Sequence, residues 1–202
     1  MQFVMDTLID PSQAAFVPGR VIVDNILLSH ELVKGYGRKG LSPRSMMKID
    51  MHKAYDYVEW PFIEQILRLL NFPTKFINWI MSCLTTVSYS ILINGVPTTP
   101  FKAKKGLRQG DLVSPYLFVL SMEYLSRLIK NLKWIRDFKY HPKCSKVNIV
   151  QLGFADDLLL FSKGDAKSVQ VLFDTFQEFS KASRLIANAS KSSIYFRGGK
   201  KY

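Results

Sequence analysis

The chain has 202 residues, 48% hydrophobic and 22% charged, with a net charge of +12 and a pI near 9.7. This composition excludes a chain disordered throughout, and no run approaches the roughly 18 apolar residues of a membrane span. The charge is a reason to expect a polyanionic partner such as nucleic acid, with a membrane surface or solubility alone as the alternatives, and it is regional: residues 1–60 hold seven basic and seven acidic side chains, 61–110 six against one, and 166–202 seven against two.

The opening MQFVMDTLIDPSQ carries acids where a signal peptide would carry basic residues, so a soluble, intracellular protein with no membrane partner is expected. The two cysteines, Cys83 and Cys144, lie in no C-x-x-C or Cys/His array, which argues against both a disulfide scaffold and a zinc site. His30, His52 and His141 likewise lack metal-ligand spacing and read as polar surface or packing residues.

In chain order, a first helix is predicted after Pro18-Gly19, running to about Gly35. Its wide apolar face (Val21, Ile22, Ile26, Leu28, Leu32, Val33) is expected to be largely buried. A short Gly/Pro/Ser linker follows at 36–45. SMMKIDM then alternates as a strand, with Met47, Ile49 and Met51 on the packed side and Asp50 on the other. Pro61 suits the first turn of a helix carrying Ile63, Ile66, Leu67 and Leu70, and NFP separates it from another carrying Ile77, Ile80 and Leu84. A hairpin over 86–105 turns at Asn94-Gly95 and places Lys102, Lys104 and Lys105 on its second arm. Ser114-Pro115 reads as an N-cap and first helical residue of a long, half-buried helix bearing Leu117, Leu120, Tyr124 and Leu128.

KVNIVQLGFADDLLLFS is long enough for two strands if the chain reverses at Ala155-Asp156-Asp157. Along a straight strand the two acids would face opposite ways, whereas a tight turn can aim both at one place. Asp165 is positioned to cap a helix with an apolar stripe of Val169, Leu172, Phe173, Phe176 and Phe179, and strand-like pieces close the chain. The fold class is α+β, helices packed on an antiparallel sheet.

Two acids in an apolar hairpin need compensation, because a buried, unpaired carboxylate costs several kcal/mol. With Asp50 they would supply three oxygen ligands for hard divalent cations such as Mg²⁺, which tolerates an incomplete protein cage. Asp56 reads as structural and Glu59 as exposed.

Five ordered segments resemble the reverse transcriptase domain of plant LINE-type, non-long-terminal-repeat retrotransposons: IDPSQAAFVPGRVIVDN, KIDMHKAYDYVEW, KKGLRQGDLVSPYLF, QLGFADDLLLF and NASKSSIYF. The resemblance implies a right-hand polymerase fold, with partial fingers at 1–45 and palm at 46–202 including the 86–105 hairpin. It implies an RNA-directed DNA polymerase that adds deoxynucleoside triphosphates to a DNA primer on an RNA template. Asp50, Asp156 and Asp157 would then bind two Mg²⁺ ions, with Mn²⁺ a possible substitute. Tyr55 would exclude a 2′-hydroxyl, Gln109 and Gly110 would line the template and nucleotide pocket, Arg20 would contact the triphosphate, and Lys191 would protonate the pyrophosphate. Nuclear action is implied by the family alone.

Three positions depart from the family's pattern: Leu112-Val113 where Pro-Leu is usual, Tyr57 where serine is common, and Gln151 where histidine is usual. Complete enzymes of this type continue into a thumb after NASKSS and carry further fingers and an endonuclease, so the chain is expected to be a thumbless fragment with weak activity on its own. Two alternatives are an inactive nucleic-acid-binding remnant and a group II intron maturase-like protein.

Overall fold

The computed structural model describes residues 1–36 and 40–197; residues 37–39 of the expected linker and 198–202 of the expected palm lie outside the described residues. The chain starts with a helix that its periodicity did not single out, α1 (Gln2–Leu8), which buries only Met5. In α2 (Ile22–Val33) the expected burial fails. Only Leu32 is buried, while Val21, Ile22, Val23, Ile26 and Leu27 stay exposed, because the sheet reaches only Leu28 and Leu32 near the helix's end.

β1 (Arg44–Asp50) forms where the alternation predicts, and α3 (Ala54–Tyr57) follows at once. α4 (Trp60–Leu69), with Pro61 in its first turn, and α5 (Thr74–Thr85) bury the predicted isoleucines and leucines, except that Leu70 is only partly covered. The hairpin is built from four short strands, β2 (Ser88–Tyr89), β3 (Leu92–Ile93), β4 (Val96–Pro97) and β5 (Phe101–Lys102), with β2 paired to β5 and β3 to β4. Asn94 and Gly95 at its tip both have positive φ, 50° and 84°, as a tight two-residue turn requires.

α6 (Ser114–Asn131) departs from expectation in two ways. Ser114 is its first helical residue rather than its cap, and Val113 at the cap position makes no side-chain bond. The helix is also buried on nearly all sides rather than half-buried. Leu117, Phe118, Val119, Leu120, Met122, Leu125 and Ile129 are covered together with Ser121 and Ser126, whose hydroxyls satisfy themselves by donating to Leu117 O and Met122 O. A short 3₁₀ turn (Leu132–Trp134) ends it.

β6 (Gln151–Phe154) and β7 (Asp157–Lys163) form the predicted hairpin. α7 (Ala166–Ser183) is capped by Asp165, whose carboxylate accepts from Ser168 N at 3.0 Å; of its expected stripe, Phe173 is exposed. β8 (Ser193–Arg197) completes a four-stranded antiparallel sheet in the order β6-β7-β1-β8.

Register gives the sheet its two faces. Met47 pairs with Leu160 and Ile49 with Leu158, and these side chains join α4, α5, α6 and α7 in the main core. The alternate positions, Met46, Lys48 and Asp50 on β1 and Asp157, Leu159 and Phe161 on β7, share the opposite face. A smaller cluster of Leu32, Cys144, Leu152 and Phe161 covers only the far end of that face, so the end carrying Asp50 and Asp157 stays open. Among the described residues no helix is long and apolar enough to cross a membrane.

His141 is fully buried beside the small cluster, stacked on Tyr36 and edge-on to Phe161. Burial, with Arg44 and Lys143 adding repulsion, pushes its pKa down to about 4, and burial pushes Cys144 up to about 11, leaving an unreactive thiol. A histidine held neutral in the fold contributes stability present above its ordinary pKa of 6.5 and lost as pH falls toward 4. Urea unfolding at pH 7 and pH 4.5 should therefore differ by about 2 kcal/mol, with His141→Asn flattening the slope in that window.

Candidate active site

Three chain segments meet at the open end of the sheet. Asp50 closes β1 and lies directly opposite Asp157, the first residue of β7, in antiparallel register. Directly opposed residues project from the same face with Cβ atoms about 5 Å apart, so register alone sets two carboxylates side by side. Asp156 sits beside them in the two-residue turn Ala155-Asp156, where Ala155 adopts φ +53°. The reversal predicted from the sequence exists; it was the strand register, not the turn, that brought Asp50 to Asp157.

Like charges directly opposed destabilise a sheet, and no lysine or arginine forms an ion pair with Asp50, Asp156 or Asp157 among the described residues. A cation from outside the chain would relieve them, and an all-oxygen donor set suits Mg²⁺ or Mn²⁺. The carboxylates are not drawn into a closed cage: among the described residues no three acid, imidazole or thiol groups are gathered as a metal-ligating cluster.

Backbone contacts hold Asp50 from the other side. Asp50 N donates to Ser192 Oγ at 3.2 Å, and Asn188 N donates to Asp50 O at 2.8 Å. Lys191, exposed in the turn formed by these residues, is thereby tied to the end of β1.

Tyr55 is half-buried on α3, its ring stacked on Phe118 of α6 at 4.8 Å between centroids. Burial raises its pKa, and the negative charge of Asp156 raises it further. The KKGLRQGD loop is fastened to α3 and to the start of α4: Leu107 N donates to Tyr55 O at 2.6 Å, Gly106 N to Val58 O just after α3 at 2.9 Å, and Trp60 Nε1 of α4 to Gly106 O at 2.7 Å. Gln109 and Gly110 lie exposed beyond this anchor. Gln109 lines a cleft of about 550 Å³ with Asp56, Tyr89, Lys105, Gly106, Leu107 and Arg108. A larger cavity of about 630 Å³ lies between α2 and the end of α6 and contains none of the predicted site residues.

Arg20 has a different role from the one expected. Its guanidinium donates to Asp10 O, Gln13 O and Ile9 O at 2.6–2.9 Å and pairs with Asp6 at 3.1 Å, leaving neither terminal nitrogen for a triphosphate. These carbonyls belong to the segment that follows α1, and Arg20 gathers that segment around its guanidinium.

The structure also accounts for two of the family departures. The Tyr57 ring lies 4.3 Å from Lys105 Nζ and packs edge-on against His52, and Gln151 Nε2 donates to Ser12 Oγ and Ser126 Oγ at 2.8 and 2.5 Å. Leu112 is 88% exposed, and nothing in the structure explains it.

Gln13 has no counterpart in the sequence reading. Its side chain accepts from Ala15 N at 3.0 Å and from Ala155 N at 3.2 Å, and its amide reaches Ala155 O at 3.5 Å. A buried amide in the loop between α1 and α2 leaves no periodic signal.

Residues 1–200 match the family described as Reverse transcriptase (RNA-dependent DNA polymerase). The chain belongs to that family. This reverse transcriptase chain is 28% identical over 202 residues to the uncharacterized 149 kDa protein of transposon TX1 from Xenopus laevis, covering 100% of this chain and 15% of that protein. It is 28% identical over 182 residues to the Pol polyprotein from the type-2 retrotransposable element R2DM of Drosophila melanogaster, covering 90% and 16%. It therefore spans under a fifth of the length of these relatives. Among solved structures, apo telomerase from Candida tropicalis aligns with a TM-score of 0.63 at 16% identity, covering 95% of this chain and 37% of that one. The same telomerase with a fragment of telomeric RNA aligns at 0.64 and 17%, covering 92% and 30%. This likeness establishes the fold, a polymerase palm with part of the fingers.

Proposed function

We propose that this reverse transcriptase chain is the catalytic part of a LINE-type retrotransposon polymerase, acting in the nucleus, with fingers in 1–45 and palm from 46 onward. It joins deoxynucleoside triphosphates to the 3′-hydroxyl of a DNA primer annealed to an RNA template. One observation carries the reading: Asp50 and Asp157 opposed in register on the open face of the sheet, with Asp156 in the adjoining turn and, among the described residues, no lysine or arginine paired with them.

Asp50, Asp156 and Asp157 would hold two Mg²⁺ ions, or Mn²⁺ in their place. Bound there, such ions lower the pKa of the primer hydroxyl and stabilise charge on the leaving oxygen. The chain's own residues do the rest. Tyr55, backed by Phe118 and unable to retreat, forms a floor that excludes a ribose 2′-hydroxyl. Gln109 and Gly110 border the template, with Lys105 and Arg108 alongside to answer phosphate charge. Lys191, tied to the end of β1, supplies the proton that the departing pyrophosphate takes up.

Primer extension on an RNA template with Mg²⁺ tests this, using Asp156→Ala as the control. Extension well above the control is expected. RNA binding without extension above the control would instead assign the chain to nucleic-acid binding without catalysis.

A further inference from the structure

Residues 12–14 run beside the outer edge of β6 like a fifth, one-residue strand. Gly153 N donates to Ser12 O at 2.8 Å, Ala14 N donates to Gly153 O at 3.0 Å, and Gln13 bridges Gly153 in parallel. Asn25 of α2 ties the same two carbonyls, Ser12 O and Gly153 O, from its amide at 3.1 and 3.0 Å. Arg20 braces the segment from behind through Gln13 O. The side chain of Gln13, only 4% exposed, thus reaches the acidic turn from a rigid base.

What it grips is the one residue of that turn needing help. Ala155 holds φ +53°, a left-handed conformation in which the Cβ of an L-residue crowds the following carbonyl oxygen. Gln13 Oε1 accepts from Ala155 N and Nε2 donates to Ala155 O, so one side-chain amide binds both backbone groups of the strained residue. Gly153 leaves the room: a Cβ there would stand 3.1 Å from Gln13 Nε2 and 3.4 Å from its Cδ.

We propose that Gln13 is a positioning residue for the acidic turn, fixing Ala155 in the left-handed conformation and thereby setting the directions of Asp156 and Asp157. It touches no substrate and acts through the turn. This rests on the reading of those acids as the cation-binding groups. It links the N-terminal segment to the palm: whatever moves the α1–α2 loop moves the carboxylates.

The test uses the purified chain with Mn²⁺ as the probe. In Gln13→Ala, hydrogen exchange of the Ala155 amide should accelerate while amides in the middle of α6 keep wild-type protection, which separates a local release from general destabilisation. Mn²⁺ affinity read by electron paramagnetic resonance should fall about 10- to 100-fold, the usual effect of removing an outer-shell partner. Gln13→Glu keeps an oxygen for Ala15 N and Ala155 N but loses the donor to Ala155 O, so it should restore the protection only in part, whereas the shorter Gln13→Asn should restore none. Unchanged exchange at Ala155 overturns the proposal, as does faster exchange with unchanged Mn²⁺ affinity. If wild type and Asp157→Ala bind Mn²⁺ alike, the cation reading of the acids fails, and the exchange data alone decide whether Gln13 sets the turn.

Discussion

Asp157→Asn should lower primer extension by about 10³-fold or more while making the metal-free protein more stable. The loss follows from removing a charge where a cation must be held, since metal stabilisation of a phosphoryl transition state is worth several kcal/mol and each 1.36 kcal/mol is tenfold in rate. The gain in stability follows from register. Asp157 opposes Asp50 with no ion-paired lysine or arginine among the described residues, and like charges opposed in an antiparallel pair oppose folding by about 0.2–1 kcal/mol. Asparagine keeps the shape and removes the repulsion. Added Mg²⁺ should reverse the order, because a ligand bound only by the folded state adds about 2.7 kcal/mol at one hundred times its Kd. Thermal unfolding of both proteins in chelator and in excess Mg²⁺ reads all of this. A metal-free Asp157→Asn protein less stable than wild type would show that the opposed pair is not under electrostatic load.

A large effect on folding is expected at Gly106. Its φ is +87°, and a Cβ would stand 2.8 Å from Asp56 O and 3.1 Å from the Asp56 Cα and carbonyl carbon, all of them backbone. Gly106→Ala therefore combines a left-handed alanine, about 1–2 kcal/mol, with an overlap that only backbone movement can relieve, about 1–3 kcal/mol. A total of about 2–5 kcal/mol is expected as a shift in urea midpoint at constant slope. Gly110→Ala is the matched control: φ is +91° but nothing lies within 4 Å of its Cβ, so only the strain component of about 1–2 kcal/mol remains. Equal losses in the two variants would mean that contact with Asp56 contributes nothing. Gly106 also anchors the loop that carries Gln109, through Val58 O and Trp60 Nε1, so the variant should weaken template use at temperatures where it is still folded.

Local chemistry was legible wherever it decided the outcome. The Asn94-Gly95 turn, the Asp165 cap, the alternation of SMMKIDM and the reversal at Ala155-Asp156 all rest on constraints within a few residues, and all appear in the fold. What could not be read was pairing across the chain. Nothing near residue 50 specifies that Asp50 meets Asp157, and nothing near Gln13 specifies that its amide closes on Ala155. The apolar face of α2 showed that a partner would suit it, not that one would be supplied. For α6 the stripe of Leu117, Leu120, Tyr124 and Leu128 suggested one covered side, whereas self-satisfied serines let the other sides go inward as well. Arg20 illustrates the same gap: its place in a family motif said nothing of the carbonyls of Ile9, Asp10 and Gln13.

The bare side chains of α2 also govern how the protein behaves as a solute. Val21, Ile22, Val23, Ile26 and Leu27, together with Ile91, Leu92, Ile93 and Val96 on the hairpin, offer copies of the chain a mutually adhesive surface, held apart by a net charge of +12. That repulsion reaches about 10 Å at 0.1 M salt and about 3 Å at 1 M. High salt, the ordinary means of stripping a bound polyanion from a basic protein, thus removes the polyanion and the colloidal barrier together, and the stripped protein is the one most prone to precipitate.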